Sequence, residues 1–147
     1  MHSIKLVELN KDNWYDCCEL KLHDEQVQYM EPNAVSIAQS KYDLNLKPFG
    51  IEYEGKIVGF LMYNEEVEEL DSHWIYRIMI DKDYQSKGIA TTATKLMIDK
   101  MKLIPNCKQV AVGYHFQNEG ARNLYAKLGF IDNGDRFGKE AAVVLKL

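Results

Sequence analysis

Cysteine and proline are scarce in this sequence, and histidine is dispersed. With three prolines and nine glycines, the chain is neither collagen-like nor of low complexity. The three cysteines, Cys17, Cys18 and Cys107, include an adjacent pair and leave an odd number, which argues against a disulfide framework. No C-x-x-C motif occurs and the four histidines are far apart along the chain, so we expect no metal site. We interpret the cysteines as packing residues.

Basic residues are in deficit as well. Lys and Arg total 18 against 22 Asp and Glu, so the formal net charge is -4, whereas proteins that bind nucleic acid through its phosphates usually carry a basic surplus. No apolar run approaches the ~20 residues that a membrane-spanning helix needs, and the N-terminus has no apolar signal segment. These absences predict a cytoplasmic protein that binds neither nucleic acid nor membranes.

The hydrophobic content of the chain is sufficient for the core of a single domain over residues 1–147. Hydrophobic residues make up 46% of the 147, and their spacing alternates between strand-like and helix-like segments. The dipeptide Glu54-Gly55 separates two β-rich runs and predicts a hairpin. Beyond Gly88, apolar residues recur at gaps of three and four until Pro105, which predicts an amphipathic helix. This order of elements predicts an α/β fold whose mixed sheet is partly antiparallel.

A proline and a run of acidic residues predict the structure of two other segments. A helix is predicted from Ser36 through Leu46, with Pro48 closing it. Segment 64–72 contains five acidic residues and neither Lys nor Arg, and it is predicted to connect two strands. Its charge has two interpretations: a solvated loop, or a rim that attracts a cationic substrate.

A polar loop before the long helix carries the clearest chemical signal. The stretch Gln85-Ser86-Lys87-Gly88-Ile89-Ala90-Thr91 joins an apolar strand to the start of that helix. A helix start offers unpaired N–H groups and the positive end of the helix dipole, and both suit a phosphate. The spacing is neither that of a P-loop nor that of a dinucleotide fingerprint. From these residues alone, the loop is either a phosphate site or an ordinary turn that contains a glycine.

Two motifs resemble those of one family. Gln85 to Ala90 matches the Q/R-x-x-G-x-G/A motif of the GNAT superfamily of acyl-CoA N-acetyltransferases. Asn118 to Phe130 is similar to that family's N-x-x-A-x-x-L-Y-x-x-x-G-F stretch. The resemblance implies the GNAT fold, in which helices cover both faces of a central, mostly antiparallel sheet. It also implies an N-acetyltransferase with acetyl-CoA as its cosubstrate and no metal.

The resemblance implies a role for each matching residue. Ile78, Met79 and Ile80 would pair with the pantetheine arm of acetyl-CoA, and Asn118 would contact that arm as well. Tyr125 would lie beside the thioester sulfur as the general acid; its alternative interpretation is a core aromatic residue. The residues implied to hold the pyrophosphate are Gln85, Ser86, Lys87, Gly88, Ile89, Ala90 and Thr91.

A third resemblance concerns the acceptor. Gln26, Tyr29, Asn33 and Ser36 fall in a Q-x-x-F/Y-x-x-x-N-x-x-S stretch similar to that of bacterial diamine (spermine/spermidine) acetyltransferase-like GNAT proteins. That branch implies a small cationic amine, a polyamine or diamine such as spermidine or spermine. Two alternatives stay open: the acceptor is an amine of a peptide, protein or drug, or the chain binds CoA without turnover. Dimers are common in this superfamily, so a homodimer is one expected assembly.

No single pattern indicates the general base. Relatives that acetylate polyamines often carry a carboxylate on the strand before the pyrophosphate loop, whereas the stretch from Trp74 to Ile78 contains no acid. Glu31, or a carboxylate acting through water, is one candidate base. His115 is another, and its alternative interpretation is a structural histidine. Arg77 is expected to form a buried pair whose partner the sequence does not reveal.

Overall fold

A mixed β-sheet lies at the centre of the protein. The computed structural model describes residues 3–147, and Met1 and His2 lie outside the described residues. Within that range the seven strands are β1 (Ile4–Glu8), β2 (Leu46–Tyr53), β3 (Lys56–Glu68), β4 (Ser72–Ile80), β5 (Gln109–His115), β6 (Arg136–Phe137) and β7 (Glu140–Lys146). The helices are α1 (Trp14–Glu19), α2 (Asn33–Tyr42), α3 (Ile89–Met101) and α4 (Glu119–Lys127). Short 3-10 helices span Asp24–Tyr29, Glu69–Asp71 and Lys82–Tyr84.

The strand order places one parallel pair inside an otherwise antiparallel sheet. Across residues 3–147 the order is β1-β2-β3-β4-β5-β7-β6. In this range β4 and β5 run parallel, and every other neighbouring pair is antiparallel. A parallel pair needs a crossover connection, and α3 supplies it. The predicted mixed and mostly antiparallel sheet is confirmed.

Helices cover both faces of the sheet, as the fold prediction requires. One face packs against α3 and α4, and this core contains Ile89, Met97 and Tyr125. The opposite face packs against α1 and its neighbours, where Cys17 lies beside Phe60. Burial raises the pKa of the Cys17 thiol to about 12, so the side chain stays neutral and behaves as a small packing residue.

The predicted hairpin and the predicted long helix are both confirmed. Glu54 (φ 51°) and Gly55 (φ 80°) both have left-handed backbone, which is the type I′ geometry that matches the twist of paired strands. Tyr53 and Lys56 pair directly across this turn. The long helix α3 begins immediately after Gly88, as predicted, but it ends at Met101, before the predicted stop at Pro105.

The acidic segment belongs more to the sheet than its composition predicts. β3 continues to Glu68, and Glu69–Asp71 link it to β4. The predicted connection over 64–72 is therefore wrong in its first half. Pairing with β4 extends the strand, since Val67 lies opposite His73. Cross-strand partners of this kind override the preference of charged residues for loops.

The helix predicted to run up to Pro48 is too long. α2 ends at Tyr42, and Pro48 lies within β2, where it is paired with Met62 of β3. β1 does not extend this far, because its last residue, Glu8, pairs with Phe49. Proline lacks a backbone N–H and is tolerated where no strand needs that donor. At Pro48, β2 therefore has β3 on one side and, among the described residues, no strand on the other, so it forms the edge of the sheet there.

Candidate active site

β4 and β5 pair over their first residues and then diverge. The last pair that joins them is Ile75 with Val112. On its other edge β4 stays paired with β3 up to Ile80, with a register shift at Tyr76 of the kind that bends and twists a strand. Residues 78–80 therefore border a gap in the sheet. In open sheets, ligands bind beyond the carboxyl ends of parallel strands, at this kind of divergence.

The start of α3 faces this gap with unpaired amides. Gly88 is the N-cap residue and has left-handed backbone (φ 80°), and among the described residues no side chain caps the helix. The first intrahelical bond is donated by the Thr92 N–H to the Gly88 carbonyl, at 3.2 Å. The N–H groups of residues 89–91 are therefore free of intrahelical partners. They form the positive end of a 13-residue helix.

The loop before α3 contains two left-handed residues, Ser86 (φ 63°) and Gly88 (φ 80°). A Cβ added to Gly88 would meet no atom within 4 Å, so glycine is favoured there by backbone conformation rather than by space. Ser86 adopts a conformation that costs a residue with a Cβ about 1–2 kcal/mol. Left-handed residues in such a loop turn backbone N–H groups toward a common concave side, which suits an anion.

A cavity of about 360 Å³ lies between residues 78–80, the start of α3 and α4. We call it the donor cavity. It brings together both GNAT-like motifs. The predicted residues that line it are Ile78, Met79, Ile80, Gln85, Ser86, Gly88, Ile89, Ala90, Thr91, Asn118 and Tyr125. Lys87 does not line it and is exposed. The roles that the resemblance implies for these residues stay predictions.

The 3-10 helix Asp24–Tyr29 covers the donor cavity, which sequence reasoning did not foresee. Gln26 and Gln85 form a reciprocal amide pair: Gln26 Nε2 donates to Gln85 Oε1 at 3.0 Å, and Gln85 Nε2 donates to Gln26 Oε1 at 2.9 Å. Gln85 Nε2 also donates to the Ile80 carbonyl at 3.0 Å. Gln85 therefore positions the cover and the loop. The Q-x-x-Y resemblance contains Gln26 and Tyr29 but does not indicate this contact.

Asn118 and Tyr125 are both positioned by α4. The Asn118 Oδ1 atom accepts a hydrogen bond from the Ala121 N–H at 3.2 Å and caps the helix. Tyr125 is buried, and its ring lies 6.1 Å from that of Tyr114 and 5.3 Å from that of Phe130. Burial raises the pKa of Tyr125 above its ordinary value. The phenol therefore keeps its proton at neutral pH.

A second cavity, of about 410 Å³, adjoins the donor cavity. We call it the acceptor cavity. It opens between β4, β5 and the start of β7, and its lining includes Glu31, His115 and Glu140. The residues that line both cavities are Tyr29, Met30, Ile78, Asn118, Ala121 and Tyr125. Tyr125 is thus a core aromatic residue that also lines both cavities, and its role as the general acid stays a prediction.

The partner that the sequence leaves open for Arg77 is Glu31. Arg77 Nη2 lies 2.8 Å from Glu31 Oε1, and Arg77 Nη1 donates to the Tyr76 carbonyl at 2.6 Å. The pair is only partly buried, because the Glu31 side chain is 57% exposed. It ties the segment after the Asp24–Tyr29 helix to β4. The candidate base therefore lies on the acceptor cavity with its charge already paired.

His115 is held by backbone and aromatic contacts. Its Nδ1 accepts a hydrogen bond from the Gln117 N–H at 3.2 Å. Its ring lies 5.1 Å from that of Tyr29 and 4.9 Å from that of Phe116. In the neutral imidazole the proton is then on Nε2, and the nitrogen that could accept a proton is already used. These contacts favour the structural interpretation of His115.

Comparison with known proteins decides the family. The model of the Acetyltransferase (GNAT) family matches residues 8–130. The chain belongs to the GNAT acetyltransferase family. The resemblance drawn from the two motifs is thereby confirmed, and so is the prediction of an N-acetyltransferase.

Similar GNAT proteins include two curated enzymes from Bacillus. The probable spermine N(1)-acetyltransferase of Bacillus subtilis subsp. natto (strain BEST195) is 32% identical over 99% of each chain. The spermine/spermidine N(1)-acetyltransferase of Bacillus subtilis (strain 168) is 31% identical over 99% of each chain. The crystal structure of spermidine N-acetyltransferase from Vibrio cholerae in complex with CoA and spermine has a TM-score of 0.75 at 19% identity, covering 97% of this chain and 95% of that chain. This last likeness confirms the GNAT fold.

The acidic residues of β3 in this GNAT protein line neither the donor nor the acceptor cavity, as far as the chain is described. Glu65 lies 3.6 Å from Lys47 Nζ. The Glu68 carboxylate accepts hydrogen bonds from the Tyr76 hydroxyl at 2.8 Å and from Asn64 Nδ2 at 2.9 Å. Tyr76 itself lines the acceptor cavity. Of the described acidic residues of β3, only Glu68 is therefore hydrogen-bonded to a residue that lines the acceptor cavity, namely Tyr76.

The described residues also bear on membrane spans, metal ligands and free thiols. Over residues 3–147, no helix is long and apolar enough to cross a membrane. His, Cys, Asp and Glu side chains in this range form no group of three or more that could hold a metal ion. Burial raises the pKa of the thiols of Cys18 and Cys107. Both therefore stay protonated at neutral pH, in line with packing roles.

Proposed function

We propose that this GNAT protein transfers the acetyl group of acetyl-CoA to a primary amine of a polyamine such as spermidine or spermine. The observation that carries the proposal is that Tyr125 lines both the donor and the acceptor cavity. Direct transfer between two bound substrates needs a shared wall of this kind, because the acetyl carbonyl and the amine nitrogen must meet. The names of the two Bacillus relatives support a polyamine as the acceptor.

The donor cavity supplies what acetyl-CoA requires. The N–H groups of residues 89–91 and the dipole of α3 bind the pyrophosphate. Residues 78–80 offer a strand edge that has no β5 partner, along which the pantetheine amides bind as an added strand would. Asn118 lies on the same wall as Tyr125, so it contacts the thioester end of the pantetheine arm.

Tyr125 provides the proton that the leaving group takes up. The amine nitrogen attacks the thioester carbonyl, and backbone N–H groups near Met79 stabilise the developing oxyanion. When the carbon–sulfur bond breaks, the CoA sulfur takes the phenol proton of Tyr125, and the phenolate recovers a proton from the one that the attacking nitrogen loses as the amide forms. Because burial raises the pKa of Tyr125, this proton is present throughout the neutral pH range.

The acceptor amine must lose a proton before it attacks. Glu31, acting directly or through water, takes this proton, since it lines the acceptor cavity from the segment opposite β4. Arg77 holds the Glu31 carboxylate in place at 2.8 Å. The carboxylate that polyamine-acetylating relatives often carry on the β4 strand is absent here, and Glu31 supplies the same charge from a different element.

Release of free CoA from acetyl-CoA, measured over a panel of amines, tests the proposal. We expect release with spermidine and spermine, with acetylated polyamine as the second product. Release only with peptides or aminoglycosides would contradict the polyamine acceptor. Calorimetric binding of CoA without release for any amine would contradict the transfer itself.

A further inference from the structure

Glu140 lines the acceptor cavity from β7, whereas Glu31 is paired with Arg77 of β4. Glu140 is the first residue of β7 and pairs across the strands with His115 of β5. Its side chain lines the acceptor cavity but not the donor cavity. No motif identified in the sequence includes Glu140. The transfer chemistry assigned to Tyr125 and Glu31 does not use it either.

Gly113 of β5 makes room for the Glu140 carboxylate. A Cβ added to Gly113 would lie 3.0 Å from Glu140 Oε1 and 3.6 Å from Glu140 Cδ. The carboxylate therefore lies over the backbone of β5 at Gly113, which lines the same cavity. Gly113 is within a strand and is not one of the glycines with positive φ, so space explains this glycine and backbone conformation does not. A glycine in a strand interior often marks such a close approach.

Glu140 is the carboxylate on this cavity whose charge is not neutralised. Glu31 lies 2.8 Å from Arg77 Nη2. Over residues 3–147, by contrast, no Lys, Arg or His nitrogen lies within 4 Å of the Glu140 carboxylate. The side chain is also exposed, so a solvated cation can reach it. A single negative charge at this place attracts a single positive group.

The ring of Tyr29 lies 5.1 Å from that of His115, the strand partner of Glu140, and Tyr29 belongs to the wall that both cavities share. Tyr114 lines the acceptor cavity as well, but it alternates with Gly113 and His115 along β5. It stacks on Tyr125, with ring centroids 6.1 Å apart, on the other face of the strand from Glu140. Ring faces bind methylene chains by burial and ammonium groups by cation–π attraction. An extended amine that leaves the shared wall therefore meets the ring of Tyr29 on the side where Glu140 lies.

We propose that Glu140, in the space that Gly113 leaves, binds the distal ammonium group of the acceptor and makes the enzyme select polyamines over monoamines. This inference rests on the proposed acetyl transfer to polyamines. Glu140 is a specificity-determining residue here, because it contacts the end of the substrate that does not react.

The test compares spermidine with propylamine, which lacks the distal ammonium. In Glu140→Gln we expect the ratio of kcat/KM for spermidine to kcat/KM for propylamine to fall by roughly threefold to tenfold, the range for a charge-assisted contact that is partly exposed. The fall should come mainly from a higher KM for spermidine. Gly113→Ala, which crowds the carboxylate, should lower the same ratio. Glu66→Gln is the matched control, since Glu66 is exposed on β3 and lines neither cavity.

The outcomes separate the two proposals. A lower ratio in Glu140→Gln and an unchanged ratio in Glu66→Gln support the role of Glu140. An unchanged ratio in Glu140→Gln, in an enzyme whose wild type acetylates spermidine, overturns that role and leaves the proposed function standing. No acetylation of spermidine by the wild type overturns both.

Discussion

The ring of Tyr125 packs between Tyr114 and Phe130, with centroid distances of 6.1 and 5.3 Å, while its side chain lines two cavities. Packing on both sides restricts the rotamers of the ring, so the phenol is held where the cavities meet. The same burial raises the pKa of Tyr125 and keeps the proton on the oxygen. At the scale of single residues, core packing and the proposed acid catalysis would therefore use one side chain.

Replacement of Tyr125 by Phe should lower kcat by about 100-fold or more, which is typical for the loss of a positioned general acid. The ring contacts survive in phenylalanine, so CoA should bind with little change. Steady-state kinetics and calorimetry with CoA measure the two effects. Because the raised pKa of Tyr125 lies well above neutral pH, the phenol stays protonated. Wild-type kcat should therefore not fall between pH 7 and 9 through loss of this proton.

Tyr63 offers the matched control. It is a buried tyrosine stacked on Phe49, burial raises its pKa to about 12, and it lines neither cavity. Tyr63→Phe should leave kcat unchanged. If Tyr125→Phe turned over acetyl-CoA as fast as Tyr63→Phe, Tyr125 would not be the acid.

At the scale of elements, the segment from Lys21 through the 3-10 helix Asp24–Tyr29 is joined to residues 81–85, which precede α3, at two places. Gln26 and Gln85 share two amide hydrogen bonds. Nearby, the Asp81 carboxylate accepts from the Lys21 N–H at 2.8 Å, and the Lys82 N–H donates to the Lys21 carbonyl at 2.7 Å. These bonds hold the cover of the donor cavity against the residues predicted to bind pyrophosphate.

Loss of the amide pair should therefore weaken binding of the donor. In Gln26→Ala we expect KM for acetyl-CoA to rise by roughly fivefold, as for one or two neutral hydrogen bonds of about 1 kcal/mol each, while kcat changes less. Val27→Ala is the control in the same helix, because Val27 is 57% exposed and lines neither cavity. Equal KM values for both variants would contradict the positioning role of the pair.

At the scale of the whole molecule, the charge distribution favours a cationic acceptor. The net charge is -4, and the carboxylates on the acceptor cavity, Glu31 and Glu140, outnumber its one guanidinium, Arg77. A field of this sign raises the local concentration of cations. It acts over about 10 Å or less at moderate salt, so its effect falls as salt is added.

We expect KM for spermidine to rise several-fold between about 0.05 M and about 0.5 M NaCl, as the Debye length shortens. KM for propylamine, with one charge in place of three, should rise much less over the same range. Initial-rate kinetics at saturating acetyl-CoA measure both values. Equal salt dependence for the two amines would show that the charge of the cavity does not attract the acceptor.

Local chemistry was sufficient to predict several elements and part of the site from the sequence. The turn at Glu54-Gly55 needs two left-handed residues, and α3 needs an apolar face and a residue such as Gly88 at its start; both requirements are met by neighbours in the chain. The sequence predicts a helix stop at Pro48, whereas the structure places this proline in β2. Proline has no N–H, so it fits a strand only where no neighbouring strand needs that donor, and this depends on the strand order.

The contacts that complete the site join residues far apart in sequence. Gln26 and Gln85 are 59 positions apart, and Glu31 and Arg77 are 46 apart. The place of Glu140 over Gly113 depends on the pairing of β5 with β7. Periodicity and motifs report on neighbours within a turn or a strand, so the sequence alone determined the fold class and the residues of the donor motifs. Which carboxylate is paired, and which one faces an open cavity, was decided only when the strands were brought side by side.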